Sequence, residues 1–174
     1  RSLEGLDLNL RRTDSDADHI AAVYRPDIDY ALRLDARGDA GGVFARALGV
    51  PEQSVRAQAR SEGDAQTGAA TFAARIGETS LLEGAARWTP MEWTLEARGR
   101  LDLLPSLQAL AARIGDAASL QASGARLGEF TLRAETDFLA LDLQGELDAE
   151  RQLVGPARLV ATSNRVSDIA RESP

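Results

Sequence analysis

Apolar and polar residues alternate along most of this chain with the period of a β-strand. Side chains two residues apart in a strand share a face, so each alternating segment has one apolar face and one hydrated face. The alternation is clear in Leu6–Arg11 and in Ile28–Asp35. It predicts strands near residues 3–12, 28–37, 54–62, 68–77, 80–89, 92–103, 118–126, 128–136, 139–148 and 154–162.

Several of the predicted strands are separated by short turns. Gly77 and Glu78 form one turn, and Pro90, which cannot donate to a strand ladder, forms another. Short turns join antiparallel neighbours, because parallel strands need longer crossovers. The pattern therefore predicts a mainly β fold built as an antiparallel meander. It leaves open whether the apolar positions line an open groove or form the packed interior of a closed β-sandwich.

Two short helical patterns interrupt the strands, near 41–48 and 105–114. Gly49 and then Pro51 stop the first helix. In the second, Pro105 can occupy the first turn, and Gly115 follows the last apolar residue. We expect both helices over an end or edge of the sheet, where a short amphipathic helix can cover unpaired backbone groups.

Composition narrows the class of protein. The net charge is −7 and the pI about 4.8, which argues against a nucleic-acid surface, since phosphate binding needs clustered excess positive charge. Cysteine is absent, so neither a disulfide framework nor a thiolate metal site is expected. Apolar residues make up 44% of the chain but aromatic residues only 5%, which predicts a smooth apolar surface.

The chain has the character of a fragment. Its only methionine is Met91, and residues 1–3 lead directly into a strand pattern. We interpret residues 1–174 as a single β-rich segment of a longer protein, with a weak internal repeat over 28–89 and 92–162. No apolar stretch approaches the roughly 20 residues of a membrane helix.

Residues with catalytic or metal-binding chemistry are few. Asp14, Asp16 and Asp18 have the spacing of the first calcium ligands in an EF-hand, but the glycine and glutamate that the loop also needs are replaced. We interpret this segment as a solvated turn. His19 is the only histidine, and we expect it beside these carboxylates as a charged surface group. We therefore predict no metal, no cofactor and no enzymatic activity.

Two sets of carboxylates could in principle act as an acid and a base. One is Glu96 with Asp102; the other is Asp142 with Glu146 and Asp148. Both sets lie at polar strand positions among arginines, so we expect cross-strand ion pairs instead of catalysis.

The run Leu82–Trp88, followed by Trp93–Leu103 and a short apolar helix, resembles the AsmA-like family, and within it the TamB-like translocation and assembly module subunits. Members of that family carry many degenerate strands, with recurring glycines and Leu-Asp-Leu elements before short helices. The resemblance extends loosely over most of the chain.

The resemblance implies an elongated U-shaped sheet, apolar inside and polar outside. It implies an inner-membrane-anchored protein that crosses the periplasm of a Gram-negative bacterium. Its groove would carry phospholipid between the inner and outer membranes, supporting outer-membrane biogenesis and the assembly of secreted proteins such as autotransporters. The implied partners are phospholipid acyl chains and, through other parts of the full-length protein, an outer-membrane barrel of the Omp85 type.

Apolar strand positions supply the candidate groove. An acyl chain is held by apolar area, at roughly 25 cal/mol per Å² removed from water, and a smooth aliphatic lining suits sliding. The candidate lining residues are Leu6, Leu8, Leu10, Ile28, Tyr30, Leu32, Leu34, Trp93, Leu95, Leu101, Leu103, Phe130, Leu132, Leu139, Leu141, Leu143 and Leu147.

Two other functions fit the same pattern. A carbohydrate- or protein-binding β-sandwich would have a filled core with ligands at its loops, and a passenger-type β-solenoid would have regularly spaced coils. Trp88 and Trp93, on either side of Pro90, either close a core or line the groove. The pattern alone does not place them on one face.

Overall fold

The chain folds as one antiparallel β-sheet with two short helical connections. The computed structural model describes residues 6–11, 18–25, 31–64, 66–148 and 153–164. The strands are β1 Leu6–Arg11, β2 Asp18–Arg25, β3 Ala31–Gly38, β4 Val55–Gly63, β5 Gly68–Ile76, β6 Thr79–Trp88, β7 Glu92–Arg100, β8 Ala117–Ala125, β9 Gly128–Thr136, β10 Leu139–Leu147 and β11 Arg158–Ser163. The helices are α1 Val43–Ala47 and α2 Gln108–Ile114, the second preceded by a 3₁₀ turn at Pro105–Leu107.

The sheet is a meander whose spatial order equals its sequence order. All 11 strands lie in the order β1 to β11, each antiparallel to its neighbours. Because β1 and β11 are its two edges, the sheet is open. The mainly β, antiparallel prediction is confirmed, and the closed β-sandwich is wrong, since a sandwich needs a second sheet to pack against the first.

Strand β2 was not predicted. Asp18 and His19, expected in a solvated turn, are its first two residues, and the backbone register pairs His19 with Arg11 on one side and Arg37 on the other. The following run from Ile20 to Val23 is continuously apolar and lacks the alternation on which the other strand predictions depended. Asp14 and Asp16 lie outside the described residues.

One strand end was predicted too far along the chain. The alternation after Trp93 continues to Leu103, but β7 ends at Arg100, and residues 101–104 form a turn. The turn leads into Pro105, and the residue before a proline is disfavoured in helical geometry. Leu101 and Leu103 are therefore not strand residues.

Both helices lie at an end of the sheet, and it is the same end for the two. They connect β3 to β4 and β7 to β8, and these two connections are on one side of an antiparallel meander. Gly49, with φ of 75°, ends α1 in the left-handed region. It lies against Pro105, because a Cβ added to Gly49 would be 3.4 Å from Cγ of Pro105.

The tightly packed part of the described structure is small and lies mainly beneath these helices. Ala45 of α1 and Ala111 of α2 are buried, as are Val50, in the connection after α1, and Ile76, at the end of β5. The amide of Val50 donates to the carbonyl oxygen of Ala45 at 2.8 Å, which fixes the chain as it leaves the helix. We call this group the helix-end core. Most of the sheet lies outside it.

Candidate functional site: an uncovered apolar face

The strand register gathers the apolar side chains on one side of the sheet, which we call the apolar face. Cross-strand partners share a face, so it can be followed strand by strand. Its rows, with side chains described from β3 onward, are Ala36, Ala57, Ala74, Leu82, Gly99, Ala118 and Thr136; Leu34, Ala59, Phe72, Gly84, Ala97, Leu120, Ala134, Leu141 and Ala161; Leu32, Ser61, Ala70, Ala86, Leu95, Ala122, Leu132, Leu143 and Leu159; and Gly63, Gly68, Trp88, Trp93, Gly124, Phe130 and Gly145.

Residues of the apolar face are mostly half-buried, although the described part of the chain forms no second layer over the sheet. The alanines show the cause. Ala74 and Ala86 on the apolar face are half-buried, whereas Ala73 and Ala85 on the opposite, polar face are exposed. Equal side chains next to each other in sequence therefore differ in exposure according to the face on which they lie. This difference agrees with a sheet that curves toward the apolar face.

Large apolar side chains of this face remain exposed to solvent. Leu32 is 41% exposed and Leu82 is 39% exposed. At the β11 edge, Leu159 is 64% exposed on the apolar face. The protein thus presents apolar area that an ordinary globular domain would bury.

Aromatic rings on the apolar face lie over glycines of neighbouring strands. A Cβ added to Gly68 would collide with the indole of Trp88, and one added to Gly84 would collide with the ring of Phe72. A Cβ at Gly145 would lie 2.7 Å from Cε1 of Phe130. The rings therefore lie flat against the sheet, so these aromatic residues form a shallow apolar surface and no deep pockets.

The two tryptophans lie on one face. Trp88 and Trp93 are direct cross-strand partners at the end of the sheet opposite the helices. Both are half-buried, and Nε1 of Trp88 donates to the carbonyl oxygen of Asp64 at 2.8 Å. This bond ties the polar atom of one indole to the β4–β5 turn while its ring adds apolar area to the face.

The structure places most of the predicted lining on the apolar face. Leu32, Leu34, Trp93, Leu95, Phe130, Leu132, Leu139, Leu141, Leu143 and Leu147 share its register. Leu6, Leu8 and Leu10 lie in β1, paired in backbone register with Tyr24, Ala22 and Ile20. Ile28 and Tyr30 lie outside the described residues. Leu101 and Leu103 lie outside the strands, in the turn before Pro105.

Several residues of the face were missed. Phe72 is its largest unpredicted member, and its ring lies over Gly84. Trp88, for which the sequence left core and groove open, also lies on this face, with its ring over Gly68. The alternation around Phe72 runs through alanines and threonine, so its apolar contrast is weak. Ring-over-glycine pairing depends on the cross-strand register, which a single sequence does not supply.

The polar face carries charged groups held in ion pairs. Oδ1 of Asp35 is 3.0 Å from Nε of Arg37, and its other oxygen accepts from Nε2 of Gln58 at 2.7 Å. The Gln58 hydrogen bond, followed by Arg37, lowers the pKa of Asp35. Such groups make the face hydrophilic and keep it hydrated.

Of the carboxylate sets, Asp142 lies 3.9 Å from Nε of Arg133 in the cross-strand register, as expected. The sequence predicted a strand position for Asp102. Asp102 lies instead in the turn after β7. There its pKa is lowered by a two-point hydrogen bond from Arg100. These geometries are those of surface ion pairs.

No group of three potential metal ligands occurs among the described residues. Within the same part of the chain, no helix has the length and apolar character needed to cross a membrane. Comparison of the chain with protein-family models, curated proteins and solved structures gives no match.

Proposed function

We propose that this chain is a periplasmic segment of an AsmA-like, TamB-like envelope protein whose concave apolar face carries phospholipid acyl chains between the inner and outer membranes. The full-length protein would be anchored in the inner membrane and act with an Omp85-type barrel in outer-membrane biogenesis and autotransporter assembly. The observation that supports the proposal is the apolar face itself, which runs across consecutive strands without a covering layer.

The chemistry of the face suits a hydrocarbon ligand. Each buried methylene contributes about 0.8 kcal/mol, so an acyl chain of about 16 methylenes gains substantial free energy from apolar contact alone. Such contact is nondirectional. The flat rings of Phe72, Trp88 and Phe130 leave few obstacles along the sheet, so an acyl chain would meet similar surroundings at successive strands.

The proposed role involves no covalent step. Movement of a phospholipid along an apolar surface breaks no bond and needs neither a catalytic base nor a cofactor. The alternative, a carbohydrate- or protein-binding module, was based on a β-sandwich with a filled core. The single open sheet has no such core, and we do not pursue that function.

Native mass spectrometry of gently purified protein tests the proposal. We expect copurified phospholipid on the wild-type chain. Leu95→Asp places a charge on the apolar face and should remove the lipid, whereas Thr94→Asp places the same charge one residue away, on the polar face, and should retain it. Absence of lipid from the wild type after incubation with phospholipid vesicles, or equal loss in both variants, would refute the proposal.

A further inference from the structure

Arginines face one another across strands β3, β4 and β5 on the polar face. The register pairs Arg33 with Arg60, and Arg37 with Arg56, which in turn pairs with Arg75. Like charges directly opposite in an antiparallel pair are destabilising. The sequence nevertheless places three such pairs in one patch of a chain whose net charge is −7.

The rest of the polar face is arranged differently. Glu83 is opposite Arg98, and Arg133 is opposite Asp142, so opposite charges meet. Among the described strands, the one like-charge pair of carboxylates is Glu129 with Glu146. The concentration of positive pairs on β3–β5 is therefore a local feature of the face.

Arg37, Arg56 and Arg75 form one row across β3, β4 and β5, and Arg33 and Arg60 form a shorter row. The longer row continues beyond its three arginines. In backbone register, His19 lies beside Arg37, and Arg11 lies beside His19. The row thus follows five adjacent strands in backbone register, and the side chains of Arg37, Arg56 and Arg75 are described. With about 4.8 Å between strands, these three arginines extend over about 10 Å along the long axis of the sheet.

Part of this charge is available to a ligand. Asp35 binds Arg37 and lies 3.8 Å from Arg56, but none of the ion pairs and hydrogen bonds found in the described structure involves Arg33 or Arg60. Both are exposed. Beside Arg60 lies a shallow depression of about 240 Å³, lined by Gln58, Ala59, Arg60, Thr71, Phe72 and Ala73.

We propose that these arginine rows bind an acidic helix of a partner protein. A helix with one carboxylate per turn repeats its charge about every 5.4 Å, against about 4.8 Å between the strands of the sheet. Over the row of Arg37, Arg56 and Arg75 the mismatch is about 1.2 Å, which a flexible arginine stem can absorb. The guanidinium fork matches a carboxylate in two-point geometry.

Discrete carboxylates fit this surface better than a continuous polyanion does. Asp35 lies between the two arginine rows and Glu62 lies at their margin, so the pattern of charge is interrupted. Nucleic acid or polyphosphate would bring dense negative charge against these groups and against a chain of net charge −7. A helix can place carboxylates only where the arginines are.

Fluorescence anisotropy with two synthetic peptides tests the proposal. Both have about 16 residues and the same composition, one with glutamates at i, i+4, i+7 and i+11 on a single face, the other with the glutamates distributed around the helix. We expect the one-faced peptide to bind at least tenfold more tightly. Its affinity should fall as salt is raised, because the contacts are solvent-exposed ion pairs.

Two double variants with a matched control complete the test. Arg56→Gln/Arg75→Gln and Arg33→Gln/Arg60→Gln should each weaken the one-faced peptide at least tenfold. Arg126→Gln/Arg158→Gln makes the same change of charge at exposed arginines outside the patch and should weaken it less than twofold. The first two should melt close to the wild type. Arg56→Gln/Arg75→Gln removes two repulsive pairs and the 3.8 Å contact of Arg56 with Asp35, and Arg33→Gln/Arg60→Gln removes one repulsive pair.

Several results would overturn the proposal. They are equal affinity for the two peptides, equal weakening by all three double variants, and no binding of the one-faced peptide at low salt. Displacement of that peptide by inorganic pyrophosphate or by vesicles of anionic phospholipid at equal charge concentration would instead indicate a general anion surface.

Discussion

Phe130 shows how single residues shape the apolar face. Its ring lies over Gly145, and its Cβ lies close to Gly124 on the other side, where an added Cβ would be 2.8 Å away. An ordinary side chain at either glycine would lift the ring or push the strands apart. Glycine here serves close packing, and the flatness of the face depends on it.

Gly145→Ala tests this dependence. The added methyl group meets the ring of Phe130, so we expect a loss of about 1–3 kcal/mol in the free energy of unfolding, measured by urea denaturation. In a Phe130→Leu background the same substitution should cost clearly less, because the ring is gone. Equal costs in both backgrounds would show that the ring does not need the glycine.

A second residue-scale prediction concerns Asp35. In the folded protein its pKa is lowered mainly by the hydrogen bond from Gln58 and next by Arg37. In the unfolded chain its pKa is about 3.9. Its contribution is therefore present above about pH 4 and is lost as the pH falls through the folded value.

Asp35→Asn should accordingly lower stability at pH 6 by about 1 kcal/mol or less, since the group is near the surface. The difference from wild type should shrink toward pH 3. Thermal melts of both proteins between pH 3 and 7 measure it. A difference that grows on acidification would mean that the carboxylate is not stabilised as the structure indicates.

At the scale of elements, the helices stabilise the end of the sheet. In α2, Ala111 is 3% exposed and its neighbour Leu110 is 44% exposed. Ala111→Glu forces a carboxylate into the helix-end core, and we expect a loss of several kcal/mol or failure to fold. Leu110→Glu is the matched control and should change stability by about 0.5 kcal/mol or less. Urea denaturation of both variants measures this difference in stability. Similar losses of stability in the two variants would mean that α2 does not bury Ala111 and expose Leu110 as described.

Strands were predicted well where apolar and polar residues alternate clearly in the sequence, and poorly where they do not. Strands β7 and β9 alternate strictly. Both bounds of β9 were predicted correctly, and β7 was predicted with the correct start but an end three residues too far along the chain. In β2, four consecutive apolar residues follow an acidic segment, so neither period nor polarity marked it as a strand. Leu101 and Leu103 continued the alternation, but tertiary structure turned the chain before Pro105.

The same limit applies to the surfaces. Alternation alone identified most leucines of the apolar face, but Leu82, Leu120 and Leu159 were not among the predicted lining residues. The ring-over-glycine pairs and the opposed arginines both depend on which residue meets which across strands, and register could not be read from one sequence. For the arginine row it also depended on β2, since His19 lies between Arg11 and Arg37 only when that strand is present.

At the scale of the whole molecule, stability and the apolar face are largely separate. The helix-end core contains most of the fully buried apolar residues among those described, whereas Leu95, Leu132 and Leu141 are half-buried on a face without a covering layer. In a closed sandwich, a charge at any of these leucines would be buried and unpaired, which costs several kcal/mol. On a concave open face the carboxylate can reach water.

Substitutions at the two locations should therefore have opposite outcomes. We expect Leu132→Asp or Leu141→Asp to keep a cooperative thermal melt, yet to lose crosslinking to a photoactivatable phospholipid in the full-length protein, because a charge interrupts the apolar path. Ile76→Asp, at a residue 1% exposed in the helix-end core, should unfold the chain. If both leucine variants also unfolded, the leucines would act as packed core and the face would not be an open path for lipid; if they stayed folded and still crosslinked, the path would lie elsewhere.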